Sequence, residues 1–404
     1  MEQADLKEKL FTRSYIFICV ANFLTAFSFF LLVPTLPFYL ADEYSVGGDV
    51  VGLVLSCYVV AVLCIRPFAG FVADIFQRKS VYIVSYSLFA LLFTGYLLIN
   101  GNLWQFILLR VLHGFAFGAL NTTGNTLVID IMPSSRRGEG LGYFGVTNNL
   151  AMAFGPMTGL FIISHGSYTQ LFTAALAAAV VGLLFAVAVK AKKRAPVSHS
   201  GPLMSLDRFL LIEGIPASMA FFMLAIPYGM TSSYMAIYAE EIGIVHGAGL
   251  FFTVQAAGLI VSRLISGKMV DRGLVTQTIQ KGIAIALVGV AAEASLAMVA
   301  GWSTISGHIL YFLSAFLLGY GFGTIFPAFN TLFINMAPNS RRATANATYL
   351  TGWDVGIGAG MLLGGALSSG GYSDSFMLGA ILVFVAYIYF KSFVSEHFER
   401  HRLR

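Results

Sequence analysis

Residues 66–74 read RPFAGFVAD, and residues 263–271 read RLISGKMVD. Each stretch places an arginine, a glycine and an aspartate four residues apart, and each ends a long apolar segment. The two copies are separated by about half of the 404-residue chain. The match of three chemically different residues at one spacing indicates an internal duplication.

A second set of repeated residues extends the duplication. An Asn-Thr-Leu triplet, a proline and a Ser-Arg-Arg triplet lie at 125–127, 133 and 135–137, and again at 330–332, 338 and 340–342. The same shift carries four glycines onto four others: Gly114, Gly118, Gly155 and Gly159 onto Gly319, Gly323, Gly360 and Gly364. Parallel repeats of this kind build transporters whose substrate site lies near the bilayer midplane, between two helical bundles.

The composition excludes a water-soluble protein with a single core. Hydrophobic residues make up 57% of the chain and charged residues 11%, against roughly 25% charged in soluble domains. Apolar stretches of roughly 20 residues, enough to cross a ~30 Å hydrocarbon layer as helices, recur along the chain. Twelve such helices are predicted, at 14–40, 50–71, 81–98, 104–131, 141–163, 171–189, 210–238, 248–270, 282–300, 309–336, 343–368 and 375–390.

We predict an all-α membrane protein with two pseudo-symmetric six-helix bundles, 1–189 and 209–404, joined by a cytoplasmic linker, 190–208. All Lys and Arg except Arg66, Arg110 and Arg263 fall on one side of the predicted helices, and the opposite loops carry acidic residues. The positive-inside rule therefore predicts a multi-pass protein of the plasma (inner) membrane with both termini cytoplasmic. The excess of basic over acidic residues indicates affinity for anionic membrane lipid rather than for nucleic acid.

The segment GFVADIFQRK at 70–79 resembles the signature that the major facilitator superfamily carries after its second helix. RVLHG at 110–114 is similar to a second motif of that family. GPMTG at 155–159 resembles the motif of its proton-driven drug antiporters. The resemblance covers essentially the whole chain and implies the twelve-helix transporter fold of that family.

The resemblance also implies a conformational latch that holds the two bundles in the outward-facing state. Asp74 is expected to dock on the start of the eleventh helix near Ala343. The expected latch residues are Gly70, Asp74, Arg78, Lys79, Asp130, Gly267, Asp271 and Arg272. The alternative is that these residues only anchor and terminate helices at the membrane surface.

The fifth predicted helix carries small residues in a stripe. Ala151, Gly155 and Gly159 are four residues apart, so they lie on one face, and Pro156 bends the helix. We predict that this stripe lies at the interface between the two halves, where helices slide during transport. Simple helix packing is the alternative.

Intramembrane charge points to proton coupling, because an unpaired buried charge is costly. Asp354 lies about 16 Å into the eleventh predicted helix, near the midplane. Arg110, His113, Phe117 and Asn121 share one face of the fourth. The hypothesis is that Asp354 carries the proton, with Arg110 as counter-charge and His113 as relay. A static ion pair that only holds helices together is the alternative.

The substrate cavity is predicted to include polar and aromatic residues of several helices: Asn22, Phe117, Asn121, Tyr228 and Tyr234. Such a lining suits lipophilic molecules, including cationic ones. Glu293, in the ninth predicted helix, is expected to pack or to face lipid.

The chain lacks a phosphate-binding G-x-x-x-x-G-K-[ST] loop and the HExxH, CxxC and G-x-S-x-G motifs. We therefore predict no ATP use, catalytic residue, metal or cofactor, and no enzyme activity. The main hypothesis is a monomeric, proton-coupled antiporter that exports amphiphilic small molecules or drugs. Its alternatives are a proton symporter importing a sugar or other nutrient, and a non-transporting receptor or assembly factor on the same fold.

Overall fold

The structure, a computed structural model, describes residues 9–99, 101–133, 136–191, 211–244, 247–338 and 341–403. Inside the helices, it leaves the side chains of residues 74, 137–139, 264, 265, 267, 268, 271, 342 and 343 undescribed. The described residues are almost entirely helical and contain no β-strand.

The first half of the chain forms α1 (Arg13–Leu32), α2 (Leu36–Tyr44), α3 (Gly48–Ile75), α4 (Arg78–Leu98), α5 (Leu103–Ile131), α6 (Arg137–His165) and α7 (Tyr168–Ala188). The second half forms α8 (Ile215–Glu241), α9 (Ala248–Asp271), α10 (Val275–Trp302), α11 (Thr304–Met336), α12 (Arg342–Ala366), α13 (Tyr372–Tyr389) and α14 (Ser395–His401). A π-helical turn, Phe390–Val394, joins α13 to α14.

Within the described residues, eleven helical segments are long and apolar enough to cross a membrane. The chain is therefore a multi-pass membrane protein. A further, shorter apolar segment, Ala248–Arg263, belongs to α9. The number of twelve spans stays a prediction. The predicted linker is described only at its first two residues, since residues 192–210 lie outside the described part.

The prediction of one continuous first helix over 14–40 is wrong. The structure ends α1 at Leu32 and starts α2 at Leu36, because Pro34 and Pro37 remove two backbone N–H donors. The side chain of Thr35 compensates for part of this loss. Its hydroxyl donates to the carbonyl oxygens of Leu31 and Leu32, at 3.1 Å each, so backbone acceptors of the break stay satisfied in an apolar setting.

Side-chain caps fix several helix starts on the side opposite the basic loops. Ser167 caps α7 and forms a reciprocal capping box with Gln170. Asn102 accepts from the backbone N–H groups of Trp104 and Gln105 at the start of α5. These bonds satisfy donors that would otherwise be left without a partner at the first turn.

The helices build two hydrophobic cores. One is formed mainly by α1–α7 and centres on aromatic residues such as Tyr58, Phe89 and Phe106. The other is formed mainly by α8–α14 and centres on residues such as Phe221 and Phe322. The halves meet where α3 packs on α12, α6 on α9 and α2 on α8. A site between these helix pairs is therefore lined by both halves.

The contacts between the halves are concentrated at one end of the molecule. We call the end that carries Asp42 and Glu241 the acidic end, and the end that carries Arg78 and Arg136 the basic end. Toward the acidic end, a Cβ atom added to Gly52 of α3 would lie only 2.7 Å from the carbonyl oxygen of Met361 of α12. In this region the backbones of the two halves therefore pack against each other directly.

Toward the basic end, the helices that meet across the interface have free space beside them. Gly70 of α3 and Gly142 and Gly145 of α6 have no neighbouring atom within 4 Å of an added Cβ. Among the described residues, the close backbone contacts between the halves thus lie toward the acidic end, and open space lies beside these three glycines toward the basic end.

Candidate functional site

An ion pair joins the two halves within the membrane-spanning helices. Nη1 of Arg66 on α3 is paired with a carboxylate oxygen of Asp354 on α12. Each side chain is 21% exposed, so the pair is largely but not completely covered by the protein. The pair lies on the border between the close contacts of the acidic end and the separation beyond Gly70.

This pairing differs from the expected one, in which Arg110 was the counter-charge of Asp354. Depth along the helices explains the difference. Arg110 lies 21 residues before the basic end of α5 at Ile131, and Asp354 lies 12 residues after Arg342 at the basic end of α12. At 1.5 Å per residue, the two differ in depth by about 13 Å. Arg66 lies nine residues before Ile75 and matches Asp354 to within about 5 Å.

Arg110 instead belongs to a cluster inside the first half. Its guanidinium carbon lies 4.3 Å from the centre of the Tyr58 ring, and its Nη1 donates to the Tyr96 hydroxyl over 3.4 Å. The Tyr96 hydroxyl lies 3.0 Å from Nδ1 of His113. Arginine can only donate to Tyr96, whereas either Tyr96 or His113 can be the donor between the two, according to the tautomer of the histidine.

His113 is enclosed by aromatic rings. It is 1% exposed, and its ring lies 4.7 Å from Phe89 and 4.5 Å from Phe93. No hydrogen bond from the described residues reaches its Nε2. The structure therefore brings His113 together with Arg110 through Tyr96, and does not bring either of them to Asp354.

Two of the five predicted cavity residues lie beside clefts at the interface. Phe117 stacks on Phe29 at 5.0 Å, and Phe29 lines a cleft together with Arg110. Tyr228 lines a second cleft between α6 and the second half, opposite Asn149. It also packs against Phe322 at 4.9 Å.

The other three predicted cavity residues make structural hydrogen bonds. Asn22 donates to Thr147 over 2.7 Å, which ties α1 to α6. Asn121 accepts from Asn125 of the same helix at 3.0 Å. Tyr234 is fully buried and donates to the backbone oxygen of Met361 over 2.6 Å. Tyr234 therefore lines neither cleft itself, although its acceptor Met361 belongs to the lining of the first.

The predicted latch is described only in part. Nη1 of Arg78 donates to both carboxylate oxygens of Asp130, at 2.8 and 2.9 Å. Both residues belong to the first half, Lys79 is half-buried beside Arg78, and Arg272 is exposed. The side chains of Asp74 and Asp271 and the surroundings of Gly267 lie outside the described part. The latch therefore stays a prediction.

The small residues of α6 face a neighbour in their own half. A Cβ on Gly155 would lie 2.7 Å from Cβ of Phe30, and one on Gly159 would collide with the backbone oxygen of Leu31. Both glycines therefore let α6 approach α1. The expected position at the interface between halves is wrong for this stripe. The adjacent face of α6 forms the interface instead. There the sulfur of Met157 accepts from the hydroxyl of Thr253 on α9, at 3.0 Å.

Replacing Gly159 by Leu is expected to prevent α1 and α6 from packing. No side chain fits between them without moving the backbone of α1, and overpacking of this kind costs about 1–3 kcal/mol or more. The monodisperse peak in size-exclusion chromatography should be lost. Gly142→Leu, on the same helix but without neighbours, should keep the peak; equal behaviour of the two variants would contradict this explanation.

Glu293 of α10 points into the second half and is fully buried. Its Oε2 accepts from the hydroxyl of Thr231 on α8 at 2.8 Å. Glu293 therefore packs inside the second half, as one of the two expectations had it, and the expectation that it faces lipid is wrong.

Sequence reasoning did not recognise Arg66 as the partner of Asp354. The signal that identifies it as the partner of Asp354 is its depth, which can be calculated from the helix ends alone. Tyr58 and Tyr96 were not recognised, because an aromatic residue in an apolar helix carries no pattern that separates a cation contact from ordinary packing.

Comparison with known proteins agrees with this architecture. A chain of Shigella flexneri described as the uncharacterized MFS-type transporter YhhS is 24% identical over 380 residues, which cover 91% of this chain and 89% of the relative. The multidrug resistance protein MdtG of Klebsiella pneumoniae is 23% identical, covering 91% and 90%. The crystal structure of a mutant of the nucleoside transporter NupG superimposes with a TM-score of 0.75 at 16% identity, covering 94% and 99%.

The family model described as Major Facilitator Superfamily matches residues 18–306 and 280–403. Together these segments take in nearly all of the described helices and both clefts. The chain therefore belongs to the major facilitator superfamily and is a membrane transporter rather than an enzyme.

Proposed function

We propose that this transporter exports amphiphilic small molecules in exchange for protons, by alternating access. The observation that carries the proposal is the ion pair between Arg66 and Asp354. Among the ion pairs in the described part of the chain, this one connects the two halves within the membrane-spanning helices. A proton that binds Asp354 removes one of the two charges, so the pair holds α3 to α12 only while the carboxylate is ionised.

Coupling follows from this dependence. Suppose that protonation of Asp354 shifts the equilibrium between two arrangements of the halves by a certain factor. The proton affinity of Asp354 must then differ between the two arrangements by the same factor. The 21% exposure of both side chains gives protons a route to the carboxylate. Asp354 therefore has both properties that a coupling residue needs, which are exchange with solvent and a link to the moving helices.

The direction of transport rests on charge placement and on one relative. The basic end is assigned to the cytoplasm, because basic residues near the ends of spans are retained there. The described conformation, closed at the acidic end, would then admit cargo from the cytoplasm. MdtG is named as a multidrug resistance protein, which supports export of drug-like amphiphiles. The aromatic lining of both clefts fits such cargo.

The proposal is tested with purified protein in proteoliposomes that enclose a pH-sensitive dye. A panel of cationic, neutral and acidic aromatic amphiphiles is added, and proton movement is recorded with and without an imposed pH gradient. Exchange predicts that protons and cargo move in opposite directions across the membrane. Movement in the same direction would establish the symport alternative, and the absence of proton movement for the whole panel would reject both.

A further inference from the structure

Arg110 is a buried guanidinium without a carboxylate partner among the described residues. The residue is 3% exposed. Its Nε is shielded from solvent and makes no hydrogen bond within the described part of the chain. Arginine keeps its charge at all physiological pH values, so it cannot escape this situation by losing a proton.

The groups that surround Arg110 are neutral. The Tyr58 ring and the Tyr96 hydroxyl are its observed contacts, and a ring face or a hydroxyl offsets only part of the cost of removing a charge from water. Asp354, the acidic residue of the neighbouring helix α12, is engaged by Arg66 and lies about 13 Å away in depth. The site is therefore electrostatically incomplete.

The guanidinium also borders a narrow cleft between the halves, which must widen before a ligand can occupy it. Phe29, Leu55, Tyr58 and Met361 line it together with Arg110. The ring of Phe29 stacks on Tyr58 at 5.2 Å. The lining thus presents one cation within an aromatic and aliphatic wall, which is the pattern of a pocket that orients an apolar ligand by a single charged group.

We propose that Arg110 binds the acidic group of the transported molecule, so that the substrates are amphipathic aromatic acids. The inference rests on the proposed function, since it assigns the substrate class of the same cavity. The planar guanidinium can donate two parallel hydrogen bonds to a carboxylate or sulfonate, and this geometry adds specificity to charge pairing. The aromatic part of the ligand then lies against Phe29 and Tyr58.

The site is also placed to influence both halves. Met361 belongs to α12, seven residues from Asp354, which is about two helical turns. A ligand bound to Arg110 of α5 therefore contacts the helix that carries the proposed proton site. Binding of the acid and protonation of Asp354 act on the same contact between the halves.

Equilibrium binding tests the proposal without requiring transport. Purified protein in zwitterionic lipid nanodiscs is titrated with radiolabelled 2-naphthoate and with 2-naphthamide, which has the same shape but no charge. The acid should bind at least tenfold more tightly than the amide. Arg110→Gln should remove this preference, and Arg110→Lys should retain part of it. Lys391→Gln, which removes a cation that contacts Tyr387 elsewhere, should bind both ligands as the native protein does.

Three outcomes would overturn the proposal: no binding of the acid, equal binding of acid and amide, or an unchanged preference in Arg110→Gln that retains native thermal stability. If Arg110→Lys and Arg110→Gln both lose acid binding, the amide shows whether the variants are still folded. A folded variant that has lost only the acid site still binds the amide, whereas an unfolded protein binds neither ligand. Proton exchange driven only by cationic amphiphiles would refute the acid site while leaving the proposed exchange intact. Acid binding without any proton movement would instead support the acid site and refute the proposed proton exchange.

Discussion

Asp354→Asn is expected to abolish proton movement coupled to substrate, while the protein stays folded. Asparagine has nearly the same shape and can still accept a hydrogen bond from Arg66, but it cannot bind and release a proton. The dye signal in proteoliposomes should fall by more than about tenfold, to the level of empty vesicles, since an intramembrane carboxylate is the element that carries the proton. Substrate binding, measured at equilibrium, should remain.

The same substitution leaves the charge of Arg66 without a counter-charge. The resulting loss of stability is expected to be about 1–3 kcal/mol, less than the roughly 3–5 kcal/mol for breaking a fully buried pair, because the side chains remain partly exposed. The double variant Arg66→Gln with Asp354→Asn removes both charges. It should recover most of the thermal stability but not the proton signal, which separates the structural role of the pair from its coupling role.

A matched control is available on the surface. Glu396→Gln also removes one carboxylate from an ion pair with arginine, in this case Arg400 on α14. That pair is exposed, so its loss should change neither stability nor transport measurably. Native proton exchange in Asp354→Asn would show that the ion pair is only a static link between α3 and α12.

The fold could be predicted from the sequence to a large extent, since the length of the apolar segments and the duplicated motifs are enforced by the bilayer itself. The break between α1 and α2 could also have been predicted, because Pro34 and Pro37 lie within one helical turn of each other. It was missed because a span is recognised by hydropathy, to which proline contributes little.

The partners of intramembrane side chains were harder to predict. Spacing along one helix shows which residues share a face, but not which neighbour that face meets. The glycines at 155 and 159 therefore predicted the correct kind of packing surface but the wrong partner. The prediction was a helix of the other half, and the observed partner is α1. Tyr234 was likewise predicted to line a cavity because its polar atom is visible in the sequence, while its acceptor, the backbone oxygen of Met361, is not.

Joining α6 and α9 by a disulfide near the acidic end is expected to stop transport completely. The Cβ atom of Leu160 lies 3.9 Å from a Cβ built on Gly249, within the range of about 3.5–4.5 Å that disulfides require. The experiment uses a background without the three native cysteines, Cys19, Cys57 and Cys64. Into it, Leu160→Cys and Gly249→Cys are introduced together. Oxidation should reduce substrate flux to background, and a reducing agent should restore it.

The physical reason is that the two bonded residues belong to different halves. Alternating access requires the acidic end to open, and a covalent bond that shortens the allowed separation to a few ångströms forbids this movement. The two single variants should transport normally under oxidising conditions, because neither can form the bond.

A crosslink inside one half provides the stricter control. Ala300 of α10 and Gly307 of α11 also meet near the acidic end, where the Cβ atom of Ala300 lies 3.0 Å from one built on Gly307. The two helices need to separate by only about 0.5 Å to reach the disulfide range. Ala300→Cys with Gly307→Cys should therefore crosslink without loss of flux, because the second half moves as a body. Normal flux through the oxidised pair at 160 and 249 would mean that the acidic end does not open along α6 and α9. Loss of flux from both crosslinks would instead place the essential movement inside the second half, between α10 and α11.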